Sequence, residues 1–146
     1  MRTVKPATLP SSRWLPTLLA AGLMMTLPMA QAHDAGEETV TPVMQQELPK
    51  NPGDRVLLAT VNYAPGQASK AHLHAGPIFA YVLEGHVSSQ LGDGPVRQYG
   101  PGQSWYEAPG TRHMISRNAS DTEAAKLLVF AIVEGESPIK QSLPGR

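Results

Sequence analysis

The chain is a series of short apolar runs, each ended by a turn signal, and it lacks long stretches with helical periodicity. The clearest run is 55–63, RVLLATVNY, which is rich in β-branched residues and partly alternates between apolar and polar positions, as a strand with one buried face does. Gly-Pro, Pro-Gly and Gly-Asp-Gly turns separate further predicted strands at 78–83, 87–91, 96–99, 104–108, 113–117 and 126–133. Many short strands with frequent turns predict a closed or sandwiched all-β domain over residues 53–146.

The segments on either side of these runs have weaker patterns. Residues 33–52 are polar and acidic, and we expect them to form an N-terminal arm or an ordered edge. Within this arm, Val40, Val43 and Met44 could supply a short strand or cover a neighbouring subunit. The tail after Glu134 contains two prolines, and we expect it to pack on the outside or to fray.

Residues 1–32 have the composition of a secretory signal. An apolar run without charge, 15–29, follows three basic residues, and the small-x-small sequence Ala30-Gln31-Ala32 comes next. The run is short and is broken by two prolines, so it is a poor membrane span. We therefore expect cleavage after Ala32, a mature chain that begins at His33, a periplasmic or secreted location, and no stable membrane anchor after cleavage.

Composition limits the partners of the mature chain. The signal contains three of the twelve basic residues and none of the twelve acidic ones, so its removal leaves a net charge of about −3. No basic patch remains to bind nucleic acid. The chain has no cysteine, so an exported form must be stabilised by packing, by subunit association or by a metal. We expect a small-molecule ligand and a homodimer.

Two histidines suggest metal chemistry. His72 and His74 are two residues apart, which on a strand places both imidazoles on one face. Two imidazoles on one face are half of a metal site, although a single histidine in a β-protein is more often structural. Imidazole ligands suit Fe(II), Zn, Cu or Ni better than Mg or Ca.

The surrounding spacing resembles the two motifs of the cupin family. Gly66, His72-Leu73-His74 and the run 81–85, YVLEG, match the first motif, and 102–113, GQSWYEAPGTRH, followed by Asn118 matches the second. The resemblance implies a double-stranded β-helix, or jelly-roll barrel, in which His72, His74 and His113 converge on one divalent metal. Fe(II) is the favoured ion, and Zn, Mn, Ni or Cu would also fit such a ligand set.

One departure from the first motif affects the expected chemistry. Cupins usually carry a glutamate there as a fourth ligand, and Ile78 stands at that position. Three neutral imidazoles leave the metal charge uncompensated, so the site should recruit an anionic ligand with about 4 kcal/mol of Coulomb energy before desolvation. Cupins with three histidines and no glutamate include Fe(II) dioxygenases that act on thiols, diketones and phenolic acids.

Three functions follow from these motifs. The first is a dioxygenase-like metal enzyme acting on a small, oxygen-rich, anionic molecule. The second is a non-catalytic periplasmic protein that binds or senses a small ligand or metal. The third is a barrel without metal, in which the motifs serve folding alone.

Glu107 has two interpretations in the sequence. It could point inward and act as a ligand or a general base, which would make it the candidate catalytic residue, or it could be a rim carboxylate that pairs with Arg112 or Arg117. Residues of suitable size and polarity to line the substrate pocket are Ile78, Phe79, Tyr81, Gln90, Trp105 and Met114.

Overall fold

A computed structural model describes residues 36–143, and this part of the chain contains eleven β-strands. They are β1 Thr39–Glu47, β2 Arg55–Tyr63, β3 Ala68–Ser69, β4 His72–Leu73, β5 Ile78–Glu84, β6 Val87–Leu91, β7 Arg97–Tyr99, β8 Ser104–Glu107, β9 Arg112–Asn118, β10 Ala125–Val133 and β11 Gln141–Ser142. Across these residues there is no helix with the length and hydropathy needed to cross a bilayer. The predicted signal, its cleavage after Ala32 and the expected terminus at His33 lie outside the described residues.

The strands form two sheets in which the described pairings are antiparallel. One sheet has the order β1-β2-β10-β5-β8, and the other has the order β11-β4-β9-β6-β7 with β3 also paired to β9. The core contains residues from both sheets, such as Val82 of the first and Val87 of the second, and neither of these side chains is exposed. Burying each valine contributes roughly 1.5–3 kcal/mol. The all-β prediction is therefore correct.

The strands predicted from alternation agree closely with the observed ones. β2 and β6 have the predicted bounds, and the other predicted strands differ from β5 and from β7 to β10 by one or two residues. Strand β5 shows the physical reason, because Ile78, Ala80 and Val82 are buried while Phe79 and Tyr81 between them are exposed. Side chains two apart share a face, so one apolar row faces the core.

The two ends of the described chain are more ordered than the sequence pattern indicates. In the arm, eight of the nine residues of β1 pair along β2, with a bulge at Val43, and β1 is an exposed edge strand, so the short strand expected there is longer than predicted. Up to residue 143 the C-terminal tail does not fray, since Gln141 and Ser142 pair with Leu73 and His72 as an edge strand. Of the two alternatives for the tail, fraying does not hold for these residues, and the sequence could not show this because the pairing partner is almost 70 residues away and leaves no local signal.

Two residues of the cupin-like motifs hold turns. Gly85 has a φ of +66°, and a Cβ there would lie 2.3 Å from the carbonyl oxygen of Ala124, so only glycine fits. Asn118 is buried, and its Nδ2 donates to the carbonyl oxygens of Ala64 (3.1 Å) and Glu123 (2.7 Å). Asn118 thereby joins β9 to the turns that follow β2 and precede β10.

Candidate metal centre

Strand pairing brings the three predicted histidines together. His72 of β4 lies directly opposite His113 of β9, and neighbours on one face of adjacent strands have Cβ atoms about 5 Å apart. His74 follows the end of β4, and its ring centroid is 4.8 Å from that of His72. One ligand nitrogen from each of the three residues lies within 4.8 Å of the others. Of the remaining histidines in the described residues, His86 lies away from this cluster, beside Gly100.

Backbone carbonyls hold two of the imidazoles in the tautomer that a metal requires. Nδ1 of His72 lies 2.7 Å from the carbonyl oxygen of Lys70, and Nδ1 of His74 lies 2.6 Å from that of Ile139. A carbonyl can only accept, so each Nδ1 carries the proton and each Nε2 keeps a lone pair. This arrangement is typical of metal-binding histidines.

Glu107 faces inward and lies beside the histidines. It pairs with Ile78 across β5 and β8, so its carboxylate lies directly across from the position at which cupins usually carry the glutamate of the first motif. Its side chain is 2 % exposed, and Oε1 accepts a hydrogen bond from Nε1 of Trp105 (2.9 Å). Oε1 also lies 3.2 Å from Nδ1 of His113, and Oε2 lies 3.8 Å from Nε2 of His74.

The rim interpretation of Glu107 was therefore wrong. Parity along β8 buries Trp105 and Glu107 together, while Arg112 pairs with Asp93 instead (3.1 Å). Arg117 is exposed. The position of Glu107 alone does not distinguish a metal ligand from a catalytic base, and its protonation state and hydrogen bonds must be considered as well.

Burial and neighbouring charges determine the protonation of the cluster. The pKa of His72 is lowered to about 4, mainly by burial and also by the nearby His74 and His113, although the hydrogen bond with the Lys70 carbonyl opposes this. Burial also lowers the pKa of His74. Burial raises the pKa of Glu107, but the hydrogen bond and charge of His113 and the Trp105 hydrogen bond outweigh it, so the net shift is downward. At neutral pH, His72 and His74 are uncharged and Glu107 is ionised.

The residues fit a divalent cation. Oε2 of Glu107 is buried and has no hydrogen-bond partner in the described part of the chain, which is costly for a charged oxygen. A cation at the three imidazoles would satisfy this oxygen. Three nitrogens and one carboxylate oxygen suit Fe(II), Mn, Zn, Ni or Cu, and this donor set does not choose among them.

A cavity of about 290 Å³ adjoins the cluster. Of the predicted pocket residues, Ile78 and Trp105 line it. The other four predictions do not hold for this cavity. Phe79 and Tyr81 lie on the opposite face of β5 and are 46 % and 45 % exposed. The side chain of Gln90 instead donates to the carbonyl oxygen of Gly94, and that of Met114 lines a separate surface depression.

Most of the cavity wall carries no chemical signature in the sequence. Small and aliphatic side chains of the first sheet form it, namely Leu57, Ala59, Val61, Ala80, Leu127, Val129 and Ala131. The alternation of β2 and β10 predicts that such residues face inward, but it cannot tell a cavity wall from a packed core. Ile139 and Lys140 of the tail also line the cavity, and only the distant β4–β11 pairing brings them there.

Comparison with known proteins agrees with this geometry. A family model described as the cupin domain matches residues 59–131, half of the chain. The chain belongs to the cupin family. This cupin therefore has the double-stranded β-helix fold, with three clustered histidines that support a divalent metal site. A search of curated protein sequences finds no significant match.

Solved structures share the fold of this cupin. A Klebsiella pneumoniae protein with a double-stranded β-helix domain is 21 % identical, with 75 % of this chain and 87 % of that chain covered and a TM-score of 0.57. The Thermus thermophilus protein TT1209 is 31 % identical (65 % and 82 % covered, TM-score 0.55). The polyketide cyclase RemF from Streptomyces resistomycificus is 23 % identical (77 % and 75 % covered, TM-score 0.55).

Proposed function

We propose that this cupin is an exported metal-dependent enzyme that acts on a small, oxygen-rich molecule. Its metal ligands are His72, His74, His113 and Glu107. The observation that carries the proposal is the buried Oε2 of Glu107, which has no hydrogen-bond partner among residues 36–143 and lies 3.8 Å from Nε2 of His74. A metal-free barrel would gain nothing from an unsatisfied carboxylate oxygen beside three imidazoles.

The charge of the site defines the substrate class. Glu107 offsets one of the two positive charges of a divalent ion, so the expectation of a fully uncompensated metal is revised to a net charge of +1. A substrate with one ionised oxygen, such as an enolate, a phenolate or a carboxylate, would complete the neutralisation. The bound ion supplies Lewis-acid and, with Fe(II), redox chemistry, and we favour dioxygenase-like turnover.

The residues around the site have separable roles in this proposal. The Lys70 and Ile139 carbonyls orient His72 and His74, and the Ser89 hydroxyl lies 2.8 Å from Nε2 of His113 and orients that ring. The aliphatic wall excludes water and strengthens the electrostatic interactions within the cavity.

A second candidate is a non-catalytic protein that binds or senses a small ligand or a metal. The observation that favours it is the same carboxylate, because four protein ligands leave fewer positions for substrates, as in structural metal sites. Two solved structures with the same fold are enzymes by name, DMSP lyase DddQ and polyketide cyclase RemF. At 20 % and 23 % identity, their similarity supports the fold and not a shared activity.

Metal content and turnover together test the proposal. The purified protein is stripped, reloaded separately with Fe(II), Mn, Zn, Ni and Cu, and assayed for oxygen uptake with catechols, diketones and hydroxy acids. We expect one stoichiometric ion and turnover with Fe(II), both lost in His72→Ala and His113→Ala and both retained in the matched control His86→Ala. Ligand affinity without turnover would favour the binding protein, and absence of metal binding would refute the enzyme and the metal-binding form of the second candidate.

We also infer that this cupin forms homodimers. The outer face of the five-stranded sheet exposes an aromatic cluster in which the Phe79 ring is 5.0 Å from Tyr106 and 5.9 Å from Phe130. Strand β1 leaves one long edge of the same sheet exposed, and natural proteins usually cover such edges. Analytical ultracentrifugation of the protein and of Phe79→Ser tests this, since the substitution should shift the equilibrium toward monomer.

Export rests on residues 1–32 alone. N-terminal sequencing of protein recovered from the periplasm or the medium should begin at His33. An intact N-terminus on cytoplasmic protein would contradict the proposal.

A further inference from the structure

The wall of the cavity carries a second group of polar residues besides the three histidines and Glu107. Five residues form this group, and we call them the distal cluster: Glu38, Tyr63, Ser69, Ser116 and Lys140. Ser69 and Ser116 are opposite each other on β3 and β9, as His72 and His113 are opposite each other on β4 and β9. Because a bulge at Met114 interrupts β9, His113 and Ser116 pair with Leu91 and Ser89, which are only two residues apart on β6, so they share the buried face and lie about 7 Å apart along the strand.

We propose that the distal cluster is a binding subsite for a hydrogen-bond donor, a hydroxyl or a protonated amine, on the part of the ligand that does not bind the metal. Glu38 is the residue that determines this specificity. The proposal rests on the proposed function in that one molecule would contact both the metal and the distal cluster. It deepens that function by stating which group the substrate carries besides its metal-binding oxygen.

Three hydroxyl groups form the floor of the subsite. The Tyr63 hydroxyl lies 2.9 Å from Oγ of Ser69 and 2.8 Å from Oγ of Ser116. Burial raises the pKa of Tyr63 to about 12, so this hydroxyl stays protonated at every physiological pH. Hydroxyl groups both donate and accept, and therefore they adapt to whichever donor enters.

Glu38 gives the subsite its preference for a donor. Its side chain is 6 % exposed, and Oε1 accepts a hydrogen bond from Nζ of Lys140 (2.8 Å). Oε2 is buried and has no hydrogen-bond partner among the described residues. A carboxylate oxygen can only accept, so the group that satisfies it must be a donor.

Lys140 does not make the subsite an anion site. Its ammonium group contacts Glu38 and also Oε2 of Glu37 (3.3 Å), and Glu37 in turn pairs with Lys70 (3.0 Å). Two lysines and two glutamates leave no net positive charge for an incoming anion. The distal cluster thus differs from the metal centre, which favours an anionic group.

The rest of the cavity wall is mainly apolar and contains side chains such as Ala59, Val61, Leu127 and Val129. A ligand that fills this cavity therefore has a metal-binding oxygen head, an apolar body and a distal hydroxyl or amine. The volume is at the lower limit of small-molecule sites, which restricts the body to one ring or a short chain.

Matched alkyl hydroxamates of graded chain length test the proposal on the zinc-loaded protein. The hydroxamate head chelates metals, and the tail ends in methyl, hydroxyl, ammonium or carboxylate. Calorimetry should show tighter binding of the hydroxyl or ammonium tail than of the methyl tail at one chain length, by about tenfold or more. The preference should vanish in Glu38→Gln, where the carboxylate tail should gain affinity because Lys140 loses one of its two counter-charges. Retention of the donor preference in this variant would overturn the proposal.

Controls separate this subsite from the metal centre. Glu37→Gln removes the adjacent, more exposed carboxylate, which does not line the cavity, and should leave the tail preference unchanged. Ser116→Ala should weaken the hydroxyl preference even if Glu38→Gln does not fold. Metal-free protein is titrated with hexanol and with hexyl methyl ether, which cannot donate. Tighter binding of hexanol supports the subsite even if metal binding fails, and equal binding of the two overturns it.

Discussion

Replacement of the buried Glu107 by glutamine is the sharpest perturbation of the metal centre. Glutamine keeps the size of the side chain and one oxygen for the Trp105 hydrogen bond, but it removes the charge. In the metal-free protein, Oε2 of Glu107 is buried without a hydrogen-bond partner in the described residues. Although burial raises the pKa of Glu107, His113 and Trp105 lower it more, so the charge favours folding and its removal should lower the free energy of unfolding of the metal-free protein by about 1 kcal/mol.

The metal-bound protein should lose more free energy than the metal-free protein. A carboxylate near a divalent ion gains about 4 kcal/mol per unit charge at 4 Å with an effective dielectric constant near 20. The amide oxygen of glutamine retains part of this energy. We expect a net loss of about 3 kcal/mol, which corresponds to a weakening of metal affinity by roughly a hundredfold.

Competition with a chromophoric chelator measures the metal affinity, and calorimetric unfolding with and without metal measures the two stabilities. Glu84→Gln is the matched control, since Glu84 is an exposed glutamate on the strand that pairs with β8. A Kd of Glu107→Gln within twofold of that of the unmodified protein would refute the assignment of Glu107 as a ligand.

The cross-strand pair of Ile78 and Glu107 allows an experiment that restores the lost metal affinity. Ile78 is 3 % exposed and lies directly opposite Glu107, so a glutamate at Ile78 would point into the same space. The double variant Ile78→Glu, Glu107→Gln should recover at least tenfold of the lost affinity, provided that circular dichroism shows it folded. No recovery in a folded double variant would mean that the position of the carboxylate, and not only its charge, is essential.

Three further predictions concern pH, a buried amide and a turn. The pKa of His72 is about 4 in the folded protein, below its unfolded value of about 6.5, so the metal-free protein should lose up to about 3 kcal/mol of stability as the pH falls from about 6.5 to about 4. Urea unfolding of the protein and of His72→Gln measures this loss. An equal loss in both proteins would contradict the prediction. Asn118→Ala should destabilise the folded protein by about 2–4 kcal/mol, because it leaves buried carbonyls without a donor. A shift of the urea midpoint worth less than about 1 kcal/mol would refute the role of this side chain. Gly85→Ala should lower the Tm far more than Gly110→Ala. Both glycines have positive φ, but only at Gly85 would the new Cβ clash with backbone atoms. Similar Tm losses would show that the clash is relieved.

The sequence contains most of the information about the strands. Alternation in 55–63 gives β2 its bounds and its buried face, because the two-residue period of a strand is a local property of the chain. The same period gives the correct inward position of Ile78 and, with it, the outward position of Phe79, which size and aromaticity alone wrongly assigned to the pocket.

Long-range pairing determines what local patterns cannot. The apposition of Ile78 and Glu107 requires the register between β5 and β8, and it explains how a carboxylate lies beside the histidines although the first motif lacks it. The contact between Ile139 and His74 requires β11 to pair with β4, so the tail belongs to the metal centre. Neither strand register can be predicted from the few residues that surround these side chains in the sequence.

The sequence by itself thus determined an all-β cupin barrel and three histidines spaced for a shared centre, because strand period and motif spacing are written in consecutive residues. Only the tertiary structure decided that Glu107 joins them, that Lys140 and Glu38 line the same cavity, and that most of the expected aromatic lining faces outward. These outcomes depend on which strands become neighbours and in which register, and that is a property of the folded chain as a whole.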